Sequence, residues 1–141
     1  MTDKQENKLR MYLTVSAVCE SNVEVWQDND SFKLAFEQFC QKIPMIEKLR
    51  DIQEIENAGL KAAGNNITRI RFSRNRIKAA SENLRKLFHD TDNFIYNKLD
   101  KEILDFREDA PDFFYQFNAA RIMLYPVSFK ERKTSIPVVE N

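Results

Sequence analysis

The chain holds only two glycines and four prolines in 141 residues, too few breakers for the many tight turns of a β-rich fold. Long helices are the expected outcome. There are two cysteines and one histidine, His89, so a disulfide framework is excluded and none of the usual close metal-ligand spacings can be written. No apolar run is longer than a few residues, against the roughly 20 that a membrane-crossing helix needs. The net charge is zero, from 22 basic and 22 acidic residues, which leaves no global field to attract nucleic acid or an anionic membrane. Any such partner requires a local patch. Residues 1–10 are polar and mixed in charge, unlike the apolar core and cleavage site of a secretory signal, and a cytoplasmic location is expected. P-loop, glycine-rich nucleotide and zinc-protease motifs are absent, as is the Glu-x-x-His pair of a di-iron bundle, so neither a cofactor nor a metal is expected.

What is present is helical periodicity. The composition, 43% hydrophobic and 31% charged, is that of a globular domain large enough to bury about two-thirds of its unfolded surface. Leu9, Tyr12, Ser16, Cys19, Val23 and Trp26 follow steps of three and four, which predicts one helix over residues 3–27. Asp28 to Ser31 is a cluster of turn and cap formers, with Ser31 the expected N-cap of a second helix. Phe32, Phe36, Phe39, Ile43, Ile46, Leu49, Ile52 and Ile55 form the apolar face of that helix, and Pro44 predicts a kink near 39–44. Gly64 suits the residue just past a helix end and Asn66 the cap of the next, so a tight turn and two antiparallel helices are predicted. The third stretch runs from Ile67 through Leu84 and Phe88 to Phe106 without glycine or proline. Unbroken, it would measure about 60 Å, and a bend around 75–83 is expected. Pro111 suits the first position of a final helix, one that is apolar nearly all round. Residues 126–141, with Pro137 and no period, read as a mobile tail after a single domain over 1–125. The expected fold is all-α, an antiparallel bundle of about four helices.

Met11-Tyr12 with Val15 and Val18, the segment 36–46, Leu87-Phe88 with Asp92, Ile95, Leu99-Asp100 and Phe106, and then Pro111-Asp112-Phe113-Phe114 with Phe117 and Ala119-Ala120-Arg121 carry a likeness. In these residues the chain resembles a family of uncharacterised bacterial all-helical proteins, over roughly 9–50 and 76–123. The chain is shorter than that family's pattern, as though middle helices were missing. The resemblance implies a helical bundle and transfers no catalytic residue.

Four features invite a functional reading. Cys19 and Cys40 are equidistant from the first turn, and are expected to be buried, reduced and near one another. His89 beside Asp90 and Asp92 has the composition of a base with an orienting carboxylate, but adjacent helical residues do not face each other. Charge is unevenly laid out: residues 66–88 carry +6 and residues 89–112 carry −5. Arg71, Arg74, Lys78 and Arg85 share one helical face and suit a row of phosphates. The competing expectation is internal neutralisation, with Arg74, Arg76 and Lys78 beside Glu56, Glu54 and Asp51. In the last helix, Phe113, Phe117, Ala120 and Leu124 form one stripe and Phe114, Ile122 and Met123 another, which must cover a further helix or a second copy. Together these features predict a non-enzymatic interaction or structural module, self-associating as a homodimer or binding another protein. The alternative is a nucleic-acid-associated regulator acting through segment 69–86.

Overall fold

The computed structural model describes residues 1–122, and these form an all-α bundle. Helix α1 (Asp3–Glu20) begins at a reciprocal cap: the Thr2 hydroxyl accepts from the Gln5 amide and the Gln5 side chain accepts from the Thr2 amide, both at 3.1 Å. The single helix expected over 3–27 is broken at Ser21 and Asn22, and a short α2 (Val23–Trp26) follows. Side chains cause the break. Asn22 Nδ2 donates to the Val18 carbonyl at 2.7 Å and Trp26 Nε1 donates to the Cys19 carbonyl at 2.8 Å, satisfying the acceptors that a helix end leaves open. The turn also folds the indole against Phe32 and Phe36.

Helix α3 (Asp30–Ala62) is capped by Asn29, whose side chain accepts from the Phe32 amide at 3.0 Å. Ser31, the expected cap, lies inside the helix and donates to Glu102 at 2.7 Å. Pro44 sits within α3, exposed to solvent, and the helix runs on through it. At the far end Gly64 takes φ +59°, where a side chain would be strained, and Asn66 accepts from the Arg69 amide at 3.0 Å to start α4 (Ile67–Phe94). This turn is as predicted, and α3 and α4 lie antiparallel, with Arg76 bonded to Glu56 and Gln53 to Ser81.

Through 75–83, where a bend was expected, α4 is an unbroken α-helix. Irregularity comes later, as a π turn (Ile95–Leu99), the single turn α5 (Asp100–Glu102) and a 3₁₀ turn (Ile103–Phe106). Ile95, Leu99, Ile103 and Phe106 are all buried; their steps of four, four and three average close to 3.6 residues per turn, so a regular helix would also keep them on one side and the spacing does not account for these turns. Helix α6 (Pro111–Ile122) starts at the expected proline and runs antiparallel to α1, with Gln116 bonded to Asn22 and Arg121 beside Met11.

The core joins Tyr12, Val15 and Cys19 of α1 with Phe32, Phe36, Phe39 and Ile46 of α3, Leu84 and Phe88 of α4, and Phe113, Phe117 and Ala120 of α6. Edge-to-face ring contacts link Phe32, Phe106, Phe113 and Phe117. Of the second α6 stripe, Phe114 packs against this core and is half-buried, as is Ile122. Met123, Leu124 and the tail expected over 126–141 lie outside the described residues.

The core stops short of the α3–α4 turn. The terminal amine of Met1 donates to Gln53 Oε1 at 2.8 Å, marking the level at which α1 begins. From there α3 continues for nine residues to Ala62, about 14 Å, with only α4 beside it among the described elements. This two-helix arm buries Glu56 and Ser73, and the Arg69 guanidinium lies so close over Gly59 that an added Cβ would come within 2.7 Å of it. Ile55 and Ile67, expected on apolar faces, are 67% and 68% exposed here, and Phe72 is 54% exposed. Among the described residues no third helix stands at this level.

Candidate interaction surfaces

His89 is exposed, and its Nε2 lies 3.1 Å from Asn93 Nδ2 on the next turn. It borders a hollow of about 310 Å³ with Lys4, Lys8, Arg85 and Asp92, where no serine or cysteine approaches it. Asp92, the candidate orienter, is occupied elsewhere. Tyr12 Oη donates to its Oδ1 at 2.5 Å and Lys8 pairs with its Oδ2, so this carboxylate fastens α1 to α4.

Cys19 is buried and Cys40 half-buried, both as free thiols. The expectation of two buried thiols is corrected for Cys40, which lies at the edge of the α1–α3 seam with its Sγ 3.8 Å from Ser16 Oγ. They are near enough that each belongs to one electrostatic neighbourhood: burial chiefly, then Cys40, push the Cys19 thiol far up, and burial raises Cys40 against a lowering hydrogen bond from Ser16. Thiols held protonated are poor nucleophiles and poor metal ligands. Among the described residues no group of three His, Cys, Asp or Glu is arranged to hold a metal ion.

The acidic end is partly satisfied from within. Asp100 accepts two bonds from the Arg121 guanidinium, at 2.8 and 2.6 Å, which ties α6 to α5, and Glu102 accepts from Ser31. The basic end is satisfied only in part as well, among the described residues. Of the three neutralising pairs expected, the structure makes none as drawn; Arg76 bonds Glu56 at 2.8 Å instead. The turn sets the two helices about two residues out of the assumed register, and Asp51 lies nearest Arg50. Arg71, Arg74 and Lys78 are exposed and in no ion pair among the described residues. Arg85 pairs only with Glu82, one turn away, at 2.6 Å. These four, with Ile67, stand on one side of α4, and a shallow hollow lined by Ile67, Ile70, Arg71, Arg74 and Asn75 opens beside them.

Sequence reasoning missed a groove. On the face of the α3–α4 pair turned away from α1 lies a groove of about 460 Å³, lined by Met45, Lys48, Leu49, Ile52, Asn83, Lys86, Leu87 and Asp90. A smaller hollow shares Leu49, Ile52 and Asn83 and extends it toward Arg76 and Ala79. Its signal was present in the helix pattern: Leu49, Ile52 and Leu87 broaden the apolar faces of α3 and α4 beyond what α1 can cover. No described helix is long and apolar enough to cross a membrane. Comparison of the chain with protein-family models, with curated proteins and with solved structures finds no match.

Proposed function

We propose that this chain is a non-enzymatic, cytoplasmic interaction module that works through its α3–α4 hairpin. The observation that carries the reading is the groove between Met45, Leu49, Ile52 and Leu87: it is largely apolar and open, and its floor reaches the bundle core through Leu49 and Leu87. It lacks the convergent acid, base and nucleophile of a catalytic pocket. Exposed apolar surface of this kind, rimmed by charge, is the usual mark of a protein contact. A photo-crosslinking residue at Met45, more than half exposed, should form protein adducts in cells, whereas one at Asp109, on the acidic end, should form few. Absence of adducts at both positions would overturn the reading.

The nucleic-acid alternative is favoured by one observation, the row of Arg71, Arg74 and Lys78 in no ion pair among the described residues, with Arg85 on the same face beside Glu82. Four phosphate contacts would give a logarithmic salt slope of about −3. Retention on nucleic acid with that slope, lost in the triple variant Arg71→Gln, Arg74→Gln, Lys78→Gln, would move the function to this face. The module reading expects weak retention that those substitutions leave unchanged.

A further inference from the structure

Lys48 on α3 and Lys86 on α4 stand on opposite banks of the groove, above a floor of Met45, Leu49, Ile52 and Leu87. Both lysines are exposed, and neither is in an ion pair among the described residues. Acids one turn away are engaged with other cations: Asp51 lies by Arg50, and Glu82 bonds Arg85. Asp90, one turn beyond Lys86 on the same bank, is likewise in no ion pair. Toward the hairpin tip the trough continues to Arg76, which Glu56 already holds.

We infer that this groove receives an amphipathic helix of another protein, one with acidic residues on both flanks of its apolar stripe. The inference deepens the interaction-module reading and rests on it. The banks select a helix over other peptide forms. Both are α-helices, whose backbone groups are bonded within the helix, so no sheet edge is offered to an added strand, and the floor has no aromatic ring for a polyproline segment to stack on. A trough between two side-by-side helices is where a third helix packs, about 8–10 Å from each axis, as α1 does elsewhere on the same pair through Tyr12, set between Phe39 and Phe88.

Charge then selects the flanks. A helix that turns its apolar stripe to the floor presents one flank to each bank, and each bank carries a lysine. Acids on both flanks meet these lysines, whereas basic flanks would face like charge, which suppresses docking. Asp90 sets register on the α4 side, where a basic residue one turn from the acid at Lys86 would answer it. Met45, unbranched and more than half exposed, can adjust to the side chain laid against it. From Arg76 to Asp90 the trough spans about 21 Å, room for a helix of about 14 residues. A single helix of that length buries less than a standard interface, so the complex should dissociate readily.

Two synthetic helical peptides with the same leucine stripe, one with glutamates and one with lysines on both flanks, test this against the full chain by fluorescence anisotropy. The glutamate-flanked peptide should bind about tenfold more tightly, and added salt should shrink that preference. Met45→Glu places a charge on the floor and should weaken its binding about tenfold, while K48E/K86E should reverse the preference. The triple variant Arg71→Gln, Arg74→Gln, Lys78→Gln, on the far side of α4, should leave binding unchanged. All these positions are exposed, and unchanged helical circular dichroism verifies folding. Binding of neither peptide, equal affinity for both, a preference that survives K48E/K86E, or loss of binding in the triple variant would overturn the inference. So would a native chain that doubles its solution mass, or that floats with vesicles of phosphatidylserine and phosphatidylcholine, if Met45→Glu abolishes that behaviour, since a second copy or a lipid surface would then occupy the groove. Adducts at Met45 in cells decide separately whether the module reading stands, so the two failures are distinct.

Discussion

Tyr12 is fully buried between α3 and α4, with its ring 6.0 Å from that of Phe39 and 5.9 Å from that of Phe88, yet it carries a hydroxyl aimed at Asp92. Hydrogen bonds to a charged group contribute about 1.5–3 kcal/mol, and Asp92 keeps 30% of its side-chain exposure, so Tyr12→Phe should cost near the lower end, about 1–2 kcal/mol. Denaturant titration measures it. Ser73 is the opposite case. It is fully buried and its hydroxyl has no hydrogen-bond partner, and an unsatisfied buried polar group costs about 1–3 kcal/mol. Ser73→Ala removes that cost and favours helix, so the unfolding midpoint should rise; a fall would show a bond that the geometry does not. Cys19 makes stability depend on pH. Its thiol is raised from 9.0 by burial, so above pH 9 the unfolded chain releases a proton that the folded chain retains, and stability falls as pH increases. That contribution is fully present below pH 9. Cys19→Val should flatten the decline in melting temperature above pH 9, and Cys40, the more exposed thiol, should label first in the native protein.

At the scale of elements, legibility followed how local the determining interaction is. Gly64 and Asn66 act within a single turn, and Pro111 acts on its own helix, so their positions could be read directly. The break after Glu20 could not, because it depends on the Trp26 indole reaching back seven residues to the Cys19 carbonyl while packing on Phe32. Asn29 and Ser31 are equally good caps in isolation, and the choice between them falls to where the short α2 ends. The π and 3₁₀ turns left no mark in the spacing, because Ile95, Leu99, Ile103 and Phe106 also fall on one face of a regular helix. The final helix has the most concentrated burial, and Phe117 lies at zero exposure against Phe113. Phe117→Ala should cost about 3–5 kcal/mol. Tyr115→Ala, two-thirds exposed on the same helix, should stay within about 0.5 kcal/mol. Equal effects at both positions would sink the claim that α6 closes the bundle through one face.

For the whole molecule, the two-signed charge layout was evident in the sequence alone, whereas the groove was not, since it forms only when α3 and α4 are brought side by side. The charge row survived as a surface feature because the register of the hairpin, set by its turn, sends Arg76 rather than Arg74 to Glu56. The arm beyond Gln53 has a consequence for how the chain opens. Two helices without a third bury little, and regions of low contact density open locally at a small fraction of the global unfolding free energy. Amide exchange should thus grade along each long helix, with Leu60 and Ile70 at the tip exchanging by local fraying and Phe39 and Phe88 at the base only when the bundle unfolds. A hairpin that can fray while its base stays folded also gives any molecule bound at the tip a signature: it would slow exchange near Gly64 and leave the base untouched, whereas a partner helix seated along the groove would protect residues on both sides of Leu87.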